Sequence, residues 1–208
     1  MPPFDPPDRD VQAANRRKAE VAELAKPIHV LGAGLSGLAA ATYLANAGRE
    51  VHVHEIRGDS GARFDGDFQG IENWTSGSDF FDEMRQWGFD PEQFKSDPFD
   101  VIDLAHPDDE ITQPRTSDVA FRIVERGTAE HCIDQGFKRM AMEAGAHIHY
   151  DVRKDPKECH IIAAGPKDSS AVAFGEIFHT DHPNHVTFQL NDKLAPGAYS
   201  NLIIIRSE

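Results

Sequence analysis

Apolar positions fall in short bursts along this chain, separated by glycine, proline and acidic residues. Ile28-His29-Val30-Leu31 follows the breaker Lys26-Pro27 and reads as a short buried strand. Leu35 to Ala47, rich in alanine and leucine, reads as a helix that Gly48 stops. Val51 to Glu55 then alternates as a second strand. Strand, glycine turn, helix and strand within about thirty residues predict a β-α-β crossover with parallel strands.

From Ile56 to Asp118 regularity fades, with helical candidates at Phe80 to Gly88 and Pro91 to Lys95. A stretch this long between elements is expected to be functional or an inserted substrate region. Val119 to Val124, His147 to Tyr150 and Cys159 to Gly165 read as strands, and Thr128 to Glu143 as a helix ended by Gly145. Ala171 to Phe178, Val186 to Leu190 and Leu202 to Arg206 alternate as an antiparallel sheet would. The pattern therefore predicts an α/β fold with a parallel sheet, plus part of an antiparallel β region. Residues 1–26 read as an appendage, flexible or helical; 27–165 as the main domain with an inserted segment 64–127; and 166–208 as a partial β-sheet. In the appendage, Arg16-Arg17-Lys18 reads as a solvated helix face.

The segment between the first strand and the helix is Gly32-Ala33-Gly34-Leu35-Ser36-Gly37. In a G-x-G-x-x-G turn, the first glycine permits the sharp exit from the strand. The second lets a pyrophosphate approach the backbone, and the third lets helix and sheet pack closely. The helix start then points free N–H groups and its positive dipole end at the phosphates. Ser36 fits here as a phosphate contact; no Gly-x-Ser-x-Gly elbow makes it a nucleophile. Glu55, at the end of the second strand and followed by Ile56, is placed to accept hydrogen bonds from an adenosine ribose. Its charge would repel a 2′-phosphate, which argues against NADP.

The run Glu55-Ile56-Arg57-Gly58-Asp59-Ser60-Gly61-Ala62-Arg63 resembles that of FAD-dependent oxidoreductases of the two-dinucleotide-binding-domain family, where Gly-Gly-Arg or Gly-Ala-Arg follows the ribose-binding Glu. Ala163-Ala164-Gly165 is similar to that family's returning strand, with Ala164 where threonine is common. Phe68-Gln69-Gly70-Ile71-Glu72-Asn73-Trp74 and Leu194-Ala195-Pro196-Gly197-Ala198-Tyr199 resemble segments of the geranylgeranyl-reductase-like branch. The resemblance implies a Rossmann-like FAD/NAD(P)-binding domain with FAD held by Gly32 to Gly37, Glu55, Ile56, Gly61, Ala62, Arg63, Ala164 and Gly165. It places Pro196, Gly197 and Tyr199 in the substrate region and implies a reductase or dehydrogenase acting on a hydrophobic or isoprenoid-like small molecule. No side chain declares itself a general acid or base. The family's later strand followed by Gly-Asp has no counterpart between Gly165 and Glu208. The expectation is a shortened member, with a second chain or a homo-oligomer supplying the missing elements. Two alternatives stand beside it: an NAD-binding dehydrogenase, and a non-catalytic dinucleotide-binding or partner protein.

Charge narrows the partners. The balance of 21 Lys and Arg against 35 Asp and Glu gives a net charge of -14, which argues against nucleic acid or anionic lipid as the main partner. The acidic, proline-rich start is the reverse of a signal peptide, and the uncharged run Leu31 to Gly48 reads as a buried helix rather than a membrane span. Cys132 and Cys159 allow one bridge or two thiols; we read two reduced thiols in a cytoplasmic protein. No metal centre is expected. His179, His182 and His185 read as a solvated loop, His52 with His54 and His147 with His149 as edge histidines, and Asp108-Asp109-Glu110 as a solvated turn.

Overall fold

The computed structural model describes residues 26–73, 77–108, 110–113, 119–166, 175–176 and 178–205. The expected appendage with Arg16-Arg17-Lys18, most of the strand expected over Ala171 to Phe178, Trp74, Asp109 and Arg206 lie outside them. The chain forms two compact units. The first lies within Met1–Asp59 and Lys138–Ala164, the second within Ser60–Phe137 and Gly165–Glu208.

In the first unit, β1 (Ile28–Leu31), α1 (Leu35–Asn46) and β2 (Val51–His54) form the expected crossover. β1 and β2 pair in parallel, Ile28 opposite Val51 and Leu31 opposite His54. Alternation sends Val30, Val51 and Val53 to one face, where they are fully buried, and the histidines to the other. α1 packs on both strands and buries Leu38 and Ala41 completely. It ends in a Schellman arrangement: Arg49 N–H donates to the Leu44 carbonyl, and Gly48 N–H to that of Ala45, with Gly48 at φ 78°. β8 (His147–His149) adds to the far side of β2 and β9 (Ile161–Ile162) to that of β1. The order β8-β2-β1-β9 is parallel throughout, which is the Rossmann-like arrangement read from the sequence. β9 is shorter than the expected Cys159–Gly165 strand, although Ala163 N–H still donates to the Leu31 carbonyl at 2.7 Å.

The second unit holds two sheets. β3 (Asp67–Glu72), β7 (Phe121–Arg126) and β4 (Ser96–Phe99) run antiparallel with β7 central. β5 (Asp103–Ala105), β6 (Ile111–Thr112), β10 (His185–Gln189) and β11 (Ser200–Ile204) form the other, in the order β11-β10-β5-β6. β10 and β11 make the expected antiparallel pair, but β10 runs parallel to β5, so this sheet is mixed. Phe99, Ile102, Phe121, Ile123 and Val186 are the buried centre of this unit. α2 (Phe80–Gln86) matches the helix expected from Phe80, and Pro91–Gln93 forms one 3-10 turn. α3 (Ile133–Glu143) starts later than the expected Thr128, and its sequence is divided between the units at Phe137. No helix among the described residues is long and apolar enough to cross a membrane.

Candidate functional site

The turn from β1 into α1 shows why its residues are what they are. Gly32 sits at φ 100°, and a Cβ there would lie 2.4 Å from the Ala163 carbonyl oxygen on the returning strand. A Cβ on Gly37 would lie 2.0 Å from the Gly32 carbonyl oxygen. These two glycines are demanded by packing. Gly34 differs: a Cβ there would meet nothing within 4 Å, and its φ of -82° is open to any residue. Space is thus left beside the middle glycine, where the fingerprint needs a ligand to approach. Gly34 is the N-cap of α1, no side chain caps the helix, and its first turn holds no acidic residue. Ala33 is buried, Leu35 half-buried, and Ser36 exposed on that first turn.

Glu55 leaves the end of β2 and folds back on the loop. Its Oε2 accepts from Ala33 N–H at 2.9 Å and its Oε1 from Arg57 N–H at 2.9 Å. Each oxygen keeps a lone pair after these bonds, so the carboxylate is held in place and can still accept from a hydroxyl. Next to it Ile56 is exposed. Ala164, beyond β9, is exposed as well.

The other expected residues belong to the second unit. Gly61, at φ 78°, could not carry a Cβ, which would fall 2.3 Å from the Gly127 carbonyl oxygen and 2.8 Å from Asp134 Cβ. Ala62 and Arg63 are exposed, and Arg63 Nη1 lies 3.9 Å from where a Cβ on Gly165 would stand. Pro196, Gly197 and Tyr199 lie in the exposed turn before β11, with the Tyr199 ring edge-on to Phe188 at 5.3 Å.

Three groupings were not read from the sequence. Asp134, fully buried in the first turn of α3, accepts from Arg126 Nε at 2.8 Å and Nη2 at 2.9 Å, and from Gly127 N–H at 3.1 Å. In sequence it looks like an ordinary helix-start acid. Glu125, His131 and Cys132 bring their ligand atoms within 4.8 Å of one another, and burial, then the Glu125 charge, push the Cys132 thiol up. Both cysteines are free.

The third grouping is a histidine face on the first unit's sheet. Strand register sets His29 beside His52, His52 beside His147 and His54 beside His149. His147 and His149 lie on the edge strand β8 as expected, whereas β2 is interior, so His52 and His54 are not edge histidines; the rings stand 5.0–5.5 Å apart across three strands. Burial, then the His149 and His29 charges, lower His54 to about 4; burial first also lowers His29 and His149. The repeated V-H-V-H and H-I-H alternation was the available signal, but it needed the knowledge that β8 lies beside β2. His185, by contrast, is engaged by Thr187 and by Asp103 at 3.4 Å.

The chain is 58% identical to a hydroxysqualene dehydroxylase of Rhodopseudomonas palustris over 40 residues, which is 19% of this chain and 10% of that protein. It is 46% identical to the Sinorhizobium fredii protein of the same name over 50 residues, 24% of this chain and 12% of that one. The chain thus spans about a tenth of the length of the curated relatives it matches. Among solved structures, 2-methyl-3-hydroxypyridine-5-carboxylic acid oxygenase aligns with a TM-score of 0.47 at 19% identity, over 61% of this chain and 32% of that one. A geranylgeranyl bacteriochlorophyll reductase-like protein of Thermoplasma acidophilum aligns at 0.45 and 19%, over 60% and 30%. Residues 30–72, which run from β1 through the glycine turn and Glu55 to the end of β3, match the NAD(P)-binding Rossmann-like domain family.

Proposed function

We propose that this chain is a flavoprotein of the oxidoreductase class whose first unit holds the ADP half of FAD, and that the molecule it acts on is hydrophobic and isoprenoid-like. One observation carries the cofactor reading. The start of α1 has neither a capping side chain nor an acidic residue, and it opens onto free space at Gly34, while Glu55 is fixed beside it by Ala33 N–H. A helix end of this kind suits a pyrophosphate, and a carboxylate fixed at that distance along the fingerprint suits ribose hydroxyls. The residues present therefore fit an adenine dinucleotide.

In this reading Leu35, Ser36 and Gly37 donate from the first turn of α1 to the phosphates. Gly34 lets them come close, and Glu55 orients the adenosine by its ribose and turns away a 2′-phosphate. Redox chemistry in such a protein is supplied by the bound flavin. The substrate class draws support from the two hydroxysqualene dehydroxylases that match the chain.

Titration of the purified protein with FAD, NAD, NADP and ADP, followed by fluorescence and calorimetry, tests the proposal. FAD and ADP should bind, NADP should bind more weakly, and Gly34→Val should lose at least tenfold in FAD affinity with an unchanged circular dichroism spectrum. The proposal fails if the native protein binds neither FAD nor ADP, or if the valine form binds as well as the native one. A preference for NAD over FAD would move the assignment to an NAD-dependent dehydrogenase, as the match over residues 30–72 also allows.

A further inference from the structure

The histidine face departs from the expectation of no metal centre. We propose that it binds a borderline divalent transition-metal ion, Cu2+ or Ni2+ ahead of Zn2+, through His52 Nδ1 and His149 Nε2, with Glu50 positioning His52. The two ring nitrogens stand 2.8 Å apart. Nitrogens each about 2.0–2.1 Å from a shared metal lie roughly 2.9 Å apart at a right angle and roughly 3.3 Å apart at the tetrahedral angle. The observed spacing is that of a ring-to-ring hydrogen bond, and it is also close to that of neighbouring positions in a tetragonal or octahedral shell, which Cu2+ and Ni2+ prefer and which both rings reach by turning their lone pairs toward the ion. A tetrahedral Zn2+ would have to spread the strands' side chains.

Glu50 sets the proton positions. Its Oε1 lies 3.0 Å from His52 Nε2, so that nitrogen carries the hydrogen and donates it, and Nδ1 presents a lone pair. In the metal-free protein, His149 Nε2–H donates to that lone pair. On metal entry the His149 hydrogen moves to its Nδ1, both facing nitrogens become ligands, and no net charge is lost from the rings. Water completes the shell on the half-exposed side.

A second close pair, His29 Nδ1 and His54 Nε2 at 3.0 Å, is the poorer site. Metal on His54 Nε2 would oblige its Nδ1 to carry the hydrogen, and Nδ1 is buried without a hydrogen-bond partner. No carboxylate among the described residues is bonded to either of those two rings as Glu50 is to His52. His147 stacks on His52 with ring centroids 5.0 Å apart but forms no nitrogen-to-nitrogen contact, so it is a bystander on the same face.

Calorimetric titration of the full chain, free of any affinity tag, with CuCl2, NiCl2, ZnCl2 and MgCl2 tests this, alongside the electron paramagnetic resonance spectrum of the Cu2+ form. One equivalent of Cu2+ should bind, with hyperfine structure from two imidazole nitrogens; Ni2+ should follow, then Zn2+, and Mg2+ should not bind. His52→Asn and His149→Asn should each lose at least tenfold in affinity, and Glu50→Gln about tenfold. His147→Asn and His182→Asn should stay within twofold of the native protein. If either ligand variant fails to fold, the Glu50→Gln affinity and the nitrogen count in the native spectrum still decide the matter. Native Cu2+ affinity no better than that of the His52→Asn, His149→Asn double variant would overturn the proposal. So would a loss from His147→Asn as large as that from His149→Asn.

Discussion

The starts of α1 and α2 face the same physical problem and answer it differently. Each leaves backbone N–H groups without helical partners and a positive dipole end. At α2 the chain supplies its own anions: Asp79 Oδ1 accepts from Phe81 N–H at 2.7 Å, Asp82 and Glu83 sit in the first turn, and Arg122 pairs with Asp79 at 3.3 Å. α3 carries Asp134 in its first turn, where the carboxylate accepts from Arg126 and from Gly127 N–H. At α1 the chain supplies none, and the nearby carboxylate of Glu55 is taken up by Ala33 and Arg57. A chain with 35 acidic residues had ample means to cap α1. In the proposed function the end left bare beside open space receives a ligand's anion, whereas the capped end of α2 is a piece of scaffold.

The contrast can be broken at its structural side first. Asp134→Ala would leave Arg126, only 12% exposed, without its carboxylate partner, and should destabilise the second unit by about 3–5 kcal/mol, read by urea unfolding. Next comes an inversion at α1. Gly34→Asp gives that helix an anion of its own in a backbone conformation that suits an N-cap. Stability should change by no more than about 1 kcal/mol, while FAD affinity should fall at least a hundredfold, about 2.7 kcal/mol. Retained affinity would mean that the bare end of α1 is not where the phosphates go.

The smallest effect is expected at α2. Asp79→Ala should cost about 1 kcal/mol as a lost cap. Burial alone would raise the Asp79 carboxyl, but the Phe81 N–H, Asn73 and Arg122 outweigh it and hold it below its ordinary 3.8. A depressed folded-state value means that the ion's contribution is present above about 3.8 and is lost as the pH falls through the lower, folded value. The stability gap between native and Asp79→Ala proteins should therefore be widest above pH 5 and shrink toward pH 2 in a series of thermal melts.

The first unit was largely legible in the sequence because its signals are local. Gly48 stops α1 by a positive φ, Ile28 and Val30 on β1 and Val51 and Val53 on β2 alternate with histidines, and three glycines mark the turn. The second unit was less so. β3 is exposed along almost its whole length and carries Gly70, β4 contains Pro98, and β5 and β6 are three and two residues long. None offers an apolar run or a clean period, and although β5 and β6 form a local pair, β3 and β4 pair with β7 and β5 with β10, all farther along the sequence. At the proposed site, residue types pointed to Gly32 to Gly37 and Glu55, but gave no sign that Glu55 is tethered to Ala33. Gly61 read as part of a cofactor turn, and the structure adds that its missing Cβ is required by Gly127 and Asp134.

The parallel sheet also sets a timetable. β2 ends at His54 and its outer neighbour β8 begins only at His147; β1 likewise waits until Ile161 for β9. At roughly 5–20 residues per second on the ribosome, about 5–20 seconds pass between the emergence of β2 and that of β8. Throughout that interval β1, α1 and β2 are a two-stranded fragment with both sheet edges open, which is where a chaperone would find its target and a crowded cell its first aggregate.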